Sequence, residues 1–592
     1  MIWSLHDARV FSGAVAEGWM KRHTERPMGA PLVYTAPEQV CASCGNPMPI
    51  CQVISRPVQG LNEPFMLVRR DRQCRRQDCP GPRPRPFAYA PRDVRPVLPN
   101  RIYGLDVTLC VGERHLREGV ALAQITRDLK AQGVPLDQRH TGRVFRDFLA
   151  LASLERGDDA ALQARLRALG GIVLMCDGVQ FDERSPVLYV AWDARTGTPL
   201  FGERKPYRGE VDLVPLLERV QRMDVPVIAV VTDKEKGLVP AVQRVFPDVP
   251  YQFCHTHFLK NCAKPLQPDL TALHASVRRR AEAVREISKR LEHESAKTDR
   301  PVSLPIALPS APRVHVPSVE PLTEDSFARE VGDLVRVNSR VSGKAPLDPV
   351  ELARHERLAE IHSLVREARE KKRRSTEPGV WPLIAELDAA LTPTWHEARV
   401  AGRVRRHTEI LRGLAHELSA APDRTDRPAS AAAARASWDA HLVELAEMPR
   451  SGLASPTGQF IDSVIRRAER YSDHLFHCFD DARIPASSNG LEQFFGISKR
   501  ILRHALGCGS TTNTVVANLG AEPLLALHQL RQPRAMHAAP SRPATDFEEA
   551  RRKIADIEAP GVRRRSMVRH LGRHLHRLRS DWLDAPAAEP DA

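Results

Sequence analysis

No apolar run in this 592-residue chain approaches the ~20 residues a helix needs to cross a bilayer, which excludes a helical membrane span. The opening stretch "MIWSLHDARVFSGAVAEGWMKRH" lacks a clean apolar core, so no signal peptide is expected. Eleven cysteines without a secretory context argue against a disulfide framework and for reduced thiols or metal ligands. Acidic residues fall short of basic ones, 73 against 87, and the resulting net charge of +14 favours a polyanionic partner, nucleic acid before membrane. The length calls for several domains. The expectation is a soluble, intracellular, multidomain protein that binds nucleic acid.

What is present begins with cysteines. Cys41-x-x-Cys44 and Cys74-x4-Cys79 form two short knuckles flanking the β-type sequence "FMLVRR". Tetrahedral zinc takes four soft ligands, and paired cysteines on tight turns present them two by two. A zinc-ribbon-like module over 36–90 is therefore expected, with Cys51 as a substitute ligand. The "PGPRPRPFAYAPRD" that follows reads as a linker.

Residues 100–155 read as short helices. Leu122, Ile125 and Leu129 share one face, Gly133 makes a turn, and Asp137 can cap a second helix that points Val144, Phe145, Phe148 and Leu149 inward. This is the pattern of a helix-turn-helix, with Gln138, Arg139, Arg143 and Arg146 on the exposed face. An ordinary helical hairpin reads the same way.

Residues 171–253 give β-β-β-α-β-α-β, an α/β sheet in which a three-strand meander precedes alternating helices and strands. Asp177 follows the apolar run "GIVLMC" and Asp233 follows "VIAVVT". Each has a local explanation: Asp-Gly is a common turn, and Asp is a good helix cap. If the fourth strand lies beside the first, however, the two carboxylates converge, as hard divalent cations require. From about 255 to 480 the chain reads as helical, with Leu270, Val277, Val284 and Leu291 seven residues apart and Leu273 and Ile287 filling the second position. A Pro-rich loop at 300–322 interrupts it. "SSNGLEQFF" then opens a helix with Glu492, either a third metal ligand or the partner of Asn489 in a capping box. The tail carries Val568, Leu571, Leu575, Leu578 and Trp582 on one face among Arg563, Arg564, Arg565, Arg569, Arg573, Arg577 and Arg579, a surface helix or a phosphate-contacting one.

Taken together, "VLMCDGV", "VVTDKEKGLVPAVQRVFPDVPYQFCHTHFLKN" and "SSNGLEQFFGISKR" resemble a DDE transposase of the Mutator-like (MULE) group and its prokaryotic insertion-sequence relatives. The resemblance spans roughly 171–505. It implies an RNase H-like core in two parts, 170–268 and 481–535, split by an all-helical insertion at 269–480 and followed by a basic helical tail at 545–592. It implies Asp177, Asp233 and Glu492 as the catalytic, Mg²⁺- or Mn²⁺-binding triad, and Cys254 and His257 as a motif that supports the core. His255 and Cys262 beside them leave a second zinc site open. Lys260, Lys499, Arg500 and Arg503 would face DNA. The implied partners are double-stranded DNA, as terminal repeats and target, and a second copy of the chain or more, in a prokaryotic cytoplasm at the nucleoid. A catalytically inactive DNA-binding regulator and an RNase H-like nuclease without strand transfer are the alternatives.

Overall fold

The computed structural model describes residues 29–81, 87–88, 97–98, 100–156, 159–180, 187–205, 208–298, 323–373, 381–421, 423–449, 455–506, 519–531 and 544–582. The expected Pro-rich loop at 300–322 and most of the expected linker after Cys79 lie outside the described residues. The chain divides into two compact units, one formed by residues 1–250 with 488–592, the other by 251–487.

The first unit opens with a small sheet of β1 (Leu32–Thr35), β2 (Ile50–Gln59), β3 (Pro64–Gln73) and β4 (Phe87–Ala88). β2 and β3 form an antiparallel hairpin, β1 lies parallel to the other edge of β3, and β4 pairs with the end of β3. Three helices follow, Leu105–Leu116, Leu122–Ala131 and Gln138–Arg156. The expected turn and cap are both present. Gly133 takes a φ of 81°, and Asp137 accepts from the His140 N–H at 2.7 Å. Ile125, Leu129, Val144, Phe145, Phe148 and Leu149 form the shared core. The third helix is also covered by two late helices, Glu522–Leu530 and Ala544–Arg569.

The larger sheet contains β5 (Ile172–Val179), β6 (Val187–Asp193), β7 (Thr198–Lys205) and β8 (Val227–Thr232) in the order β7-β6-β5-β8. β5, β6 and β7 run antiparallel as a meander, and β8 lies parallel to β5. Their apolar composition follows from burial: every residue of β6 is buried, including Asp193, whose carboxylate accepts from the Val173 and Thr196 N–H groups. Beyond β8, the Val230 N–H donates to the Pro250 carbonyl, where the first unit ends. Helix Glu210–Gln221 packs on β6 and β7, and helix Leu238–Val245 packs on Glu210–Gln221 through Leu238, Ala241, Val242 and Val245. Burying one such aliphatic side chain contributes about 1.5–3 kcal/mol. Helix Asn489–Leu506 packs on β5. Phe494 in that helix meets Trp192 of β6 at 5.2 Å between ring centroids, and His528 meets the same ring at 5.2 Å.

The second unit opens with the short strand Tyr251–Phe253, the strand expected from "VPYQFC", and is otherwise helical. Its longest helix, Gln267–Thr298, buries Leu273, Val277, Val284, Ile287 and Leu291 of the heptad positions read from the sequence, while Leu270 is half-buried. Helices Glu324–Asn338, Val350–Arg373, Pro382–Leu391 and Trp395–Glu417 pack against it. Inside, Arg280 binds Glu397, which also meets His355 Nδ1 at 2.9 Å, and Arg280 donates to the Leu391 carbonyl at 2.8 Å. Breaking a buried charge pair of this kind is costly, because the remaining charge is left uncompensated.

Candidate active site and metal centre

The knuckles meet. The Sγ atoms of Cys41, Cys44, Cys74 and Cys79 all lie within 4.8 Å of one another. Cys41 and Cys79 are 3.8 Å apart, and Cys44 and Cys74 3.6 Å. A zinc tetrahedron with bonds of about 2.3 Å has edges of about 3.8 Å, so the four sulfurs fit that ion. The first knuckle is a tight turn in which the Gly45 N–H donates to the Cys41 carbonyl at 2.8 Å while Gly45 takes a φ of 69°. Burial opposes ionisation of Cys41, but hydrogen bonds from Ser43 and Cys44 outweigh it and bring the thiol down to about 7. For Cys79 the Gly81 N–H favours the thiolate, yet burial and the neighbouring thiols push it up to about 12. Four thiols this close cannot all ionise without a cation to hold them. Cys51 stands apart, donating to the Asp71 carbonyl at 3.5 Å. The cluster is consistent with a zinc-ribbon-like module.

At the large sheet, the parallel register of β5 and β8 pairs Leu174 with Val230 and Met175 with Val231. Two residues further along each strand direction come Asp177 and Asp233, both half-buried. Three local readings change here. Asp177 does not close its strand and the Asp-Gly pair is not a turn, because β5 continues through Gly178 to Val179. Gly178 serves a close approach: a Cβ there would lie 2.8 Å from the Tyr189 ring. Asp233 does not cap the following helix, which starts at Leu238 with Gly237 at the cap position. Glu492 is not in a capping box with Asn489. Ser488 is the residue before the helix and its carbonyl accepts from the Glu492 N–H at 3.1 Å, so Glu492 sits one position too late.

The sequence reading missed Glu235, although it lies in the same "TDKEKG" stretch. Its carboxylate accepts from the Tyr189 hydroxyl at 2.9 Å to each oxygen and lies 3.6 Å from Arg208. Burial and the neighbouring Asp233 hold the Glu235 carboxyl above its usual range, against the opposing hydrogen bond from Tyr189. Burial, with the charges of Asp177, Glu235 and Asp233, also pushes the Cys176 thiol up. Among the described residues, the group of three or more ligand atoms close enough together to hold a metal ion is that of the four cysteines.

Gln138, Arg139 and Arg143 are exposed at the start of their helix, whereas Arg146 forms a bidentate pair with Glu558, at 2.6 and 2.5 Å. Arg500 and Arg503 are exposed and Lys499 half-buried on the Glu492 helix. In the second unit Lys260 is exposed, Cys254 is fully buried at the cap of helix His255–Ala263, and His257 is half-buried. His255 is committed to the Leu475 carbonyl at 2.7 Å, and burial brings it down to about 4. Burial pushes the Cys262 thiol up to about 12.

In comparison with known proteins, no curated protein matches the chain. No described helix is long and apolar enough to cross a membrane. Residues 216–300, which take in Asp233, Cys254 and His257, match the family model for the transposases of the Mutator family, and this match supports a Mutator-like transposase.

Proposed function

We propose that the protein is a DDE transposase that binds the terminal repeats of a mobile element and carries out phosphodiester hydrolysis and strand transfer at Asp177, Asp233 and Glu492. The observation that carries this reading is the parallel pairing of β5 with β8, which runs both strands toward their aspartates, with the Glu492 helix packed on β5. The strand order β7-β6-β5-β8 supports an RNase H-like core. Asp177 and Asp233 would hold Mg²⁺ or Mn²⁺, and Glu492 would complete the set. When bound, these ions would stabilise the attacking and leaving oxygens of an in-line displacement at phosphorus.

The chain's own residues do the rest. Lys499, Arg500 and Arg503, further along the Glu492 helix, would contact phosphates near the scissile bond. The three helices over 105–156 would act as a helix-turn-helix, reading bases through Gln138, Arg139 and Arg143 at the exposed start of the third. The four-cysteine cluster would hold zinc and fix the module that precedes it.

The test is incubation of the full chain with DNA bearing the element's ends in Mg²⁺, scoring nicks and joined products. Nicking with joining supports the reading. Binding without nicking would identify a transposase-derived DNA-binding regulator, and nicking without joining an RNase H-like nuclease.

A further inference from the structure

We propose that Tyr189 and Glu235 form a latch that positions Asp233 from the opposite face of the sheet. This rests on Asp177 and Asp233 being metal ligands. Neighbouring residues on a strand point to opposite faces, and residues paired across two strands point to the same face. Tyr189 pairs with Gly178, so its ring leaves the sheet on the face away from Asp177. A fully buried tyrosine at that position needs a partner for its hydroxyl. Here the hydroxyl reaches both oxygens of Glu235 at 2.9 Å.

Glu235 lies two residues beyond Asp233, in the turn that leads from β8 to the helix starting at Leu238, and its carbonyl accepts the Leu238 and Val239 N–H groups at 3.1 Å. Both ends of this short turn are thereby tied down. Its carboxylate is anchored to β6 and its carbonyl to the next helix, while β8 fixes the side before Asp233. Arg208 adds a charge contact at 3.6 Å and is itself held by Gln180 at 2.7 Å, just past the end of β5. The latch therefore joins the segment carrying Asp233 to β6 and to the end of β5, the strand that carries Asp177. Gly178 is part of the same device, since a larger residue would displace the Tyr189 ring.

A hydrogen-bonding latch and a simple contribution of negative charge make opposite predictions. Tyr189→Phe removes the hydrogen bond and keeps the Glu235 charge. Glu235→Gln keeps an acceptor for Tyr189 and removes the charge, and Glu235→Ala removes both. Mn²⁺ binding to the full chain, read by electron paramagnetic resonance without DNA, is the primary measurement. Tyr189→Phe and Glu235→Ala should weaken Mn²⁺ binding about tenfold, the effect expected when the group orienting a ligand is lost, with Glu235→Gln close to wild type. Nicking by Tyr189→Phe should recover at high Mg²⁺, which a damaged fold would not allow. Unchanged Mn²⁺ binding in Tyr189→Phe, or an equal loss in Glu235→Gln and Glu235→Ala, would overturn the latch. Should Tyr189→Phe fail to fold, the two Glu235 variants decide. Asp233→Asn is the control: if wild type binds Mn²⁺ no better than Asp233→Asn, the acid-site reading fails and the latch fails with it.

Discussion

Arg146 and Glu558 are joined by two hydrogen bonds across 412 residues of chain. The contact is one of a set. Arg101 and Arg551 both bind the buried Asp147, and Phe547, Ala550 and Ile554 are buried on the same late helix. The first part of the helix Ala544–Arg569 is thus a structural member of the helical domain at 100–156, whereas Val562 and Val568 near its end and Leu571, Leu575 and Leu578 of the following helix, Leu571–Trp582, are exposed.

Two truncations should therefore behave differently. Removing 571–592 should leave the melting temperature near wild type, while removing 544–592 should lower it, because Arg146 loses Glu558, Asp147 keeps only Arg101, and the core contacts of Phe547, Ala550 and Ile554 are lost. Glu558→Ala alone should cost about 1–3 kcal/mol, the range for a hydrogen bond to a charged group, read from denaturant unfolding.

DNA binding separates along the same line. Loss of 571–592 removes Arg573, Arg577 and Arg579 and should weaken binding to all sequences alike, with a flatter dependence on salt. Changing Gln138 or Arg143 should instead relax sequence preference. Fluorescence anisotropy on repeat and random DNA at several salt concentrations checks both, and identical effects on the two DNAs would remove the recognition role.

Zinc should be present at about one equivalent per chain and be lost in Cys74→Ser, as elemental analysis would show. Chelation should unfold the module around the four cysteines, read by circular dichroism and proteolysis of that segment. Because bound thiols are deprotonated, zinc retention should fall as the pH is lowered.

Asp177→Asn, Asp233→Asn and Glu492→Gln should each abolish nicking in Mg²⁺ with repeat binding intact. Helix-capping roles would predict a loss of about 1 kcal/mol. Since Gly237 stands at the cap position and Glu492 lies outside a capping box, the melting temperature without metal should hold or rise as charge repulsion is relieved. Near wild-type nicking by any one variant would remove that residue from the site.

The second unit should be acid-sensitive. His255 and His407 are buried, and burial brings each down from 6.5 to about 4. The unfolded chain binds these protons first, so the stabilisation is complete above about pH 6.5 and is lost as the pH falls toward 4. Hydrogen exchange over Trp395–Glu417 should therefore quicken across that window, and His407→Phe, which keeps a ring beside Phe460, should lessen the effect.

The sequence by itself determined the local elements and the short-range chemistry. Two cysteine pairs at close spacing announced their turns, the β-branched runs before Asp177 and Asp233 announced strands, and the heptad from Leu270 to Leu291 announced a packed helix, because each signal repeats between residues close together in the chain. The same locality misled at Asp177-Gly178, where a turn is the usual meaning. Tyr189 and Val187, brought alongside by strand pairing, give that glycine its reason. Tertiary structure alone decided that β8 lies parallel beside β5, that Glu235 is tied to Tyr189, and that Arg146 is taken by Glu558. Those contacts join residues 46 to 412 positions apart, and their geometry depends on which strands pair and which helices cover them, information that no periodicity in the chain contains.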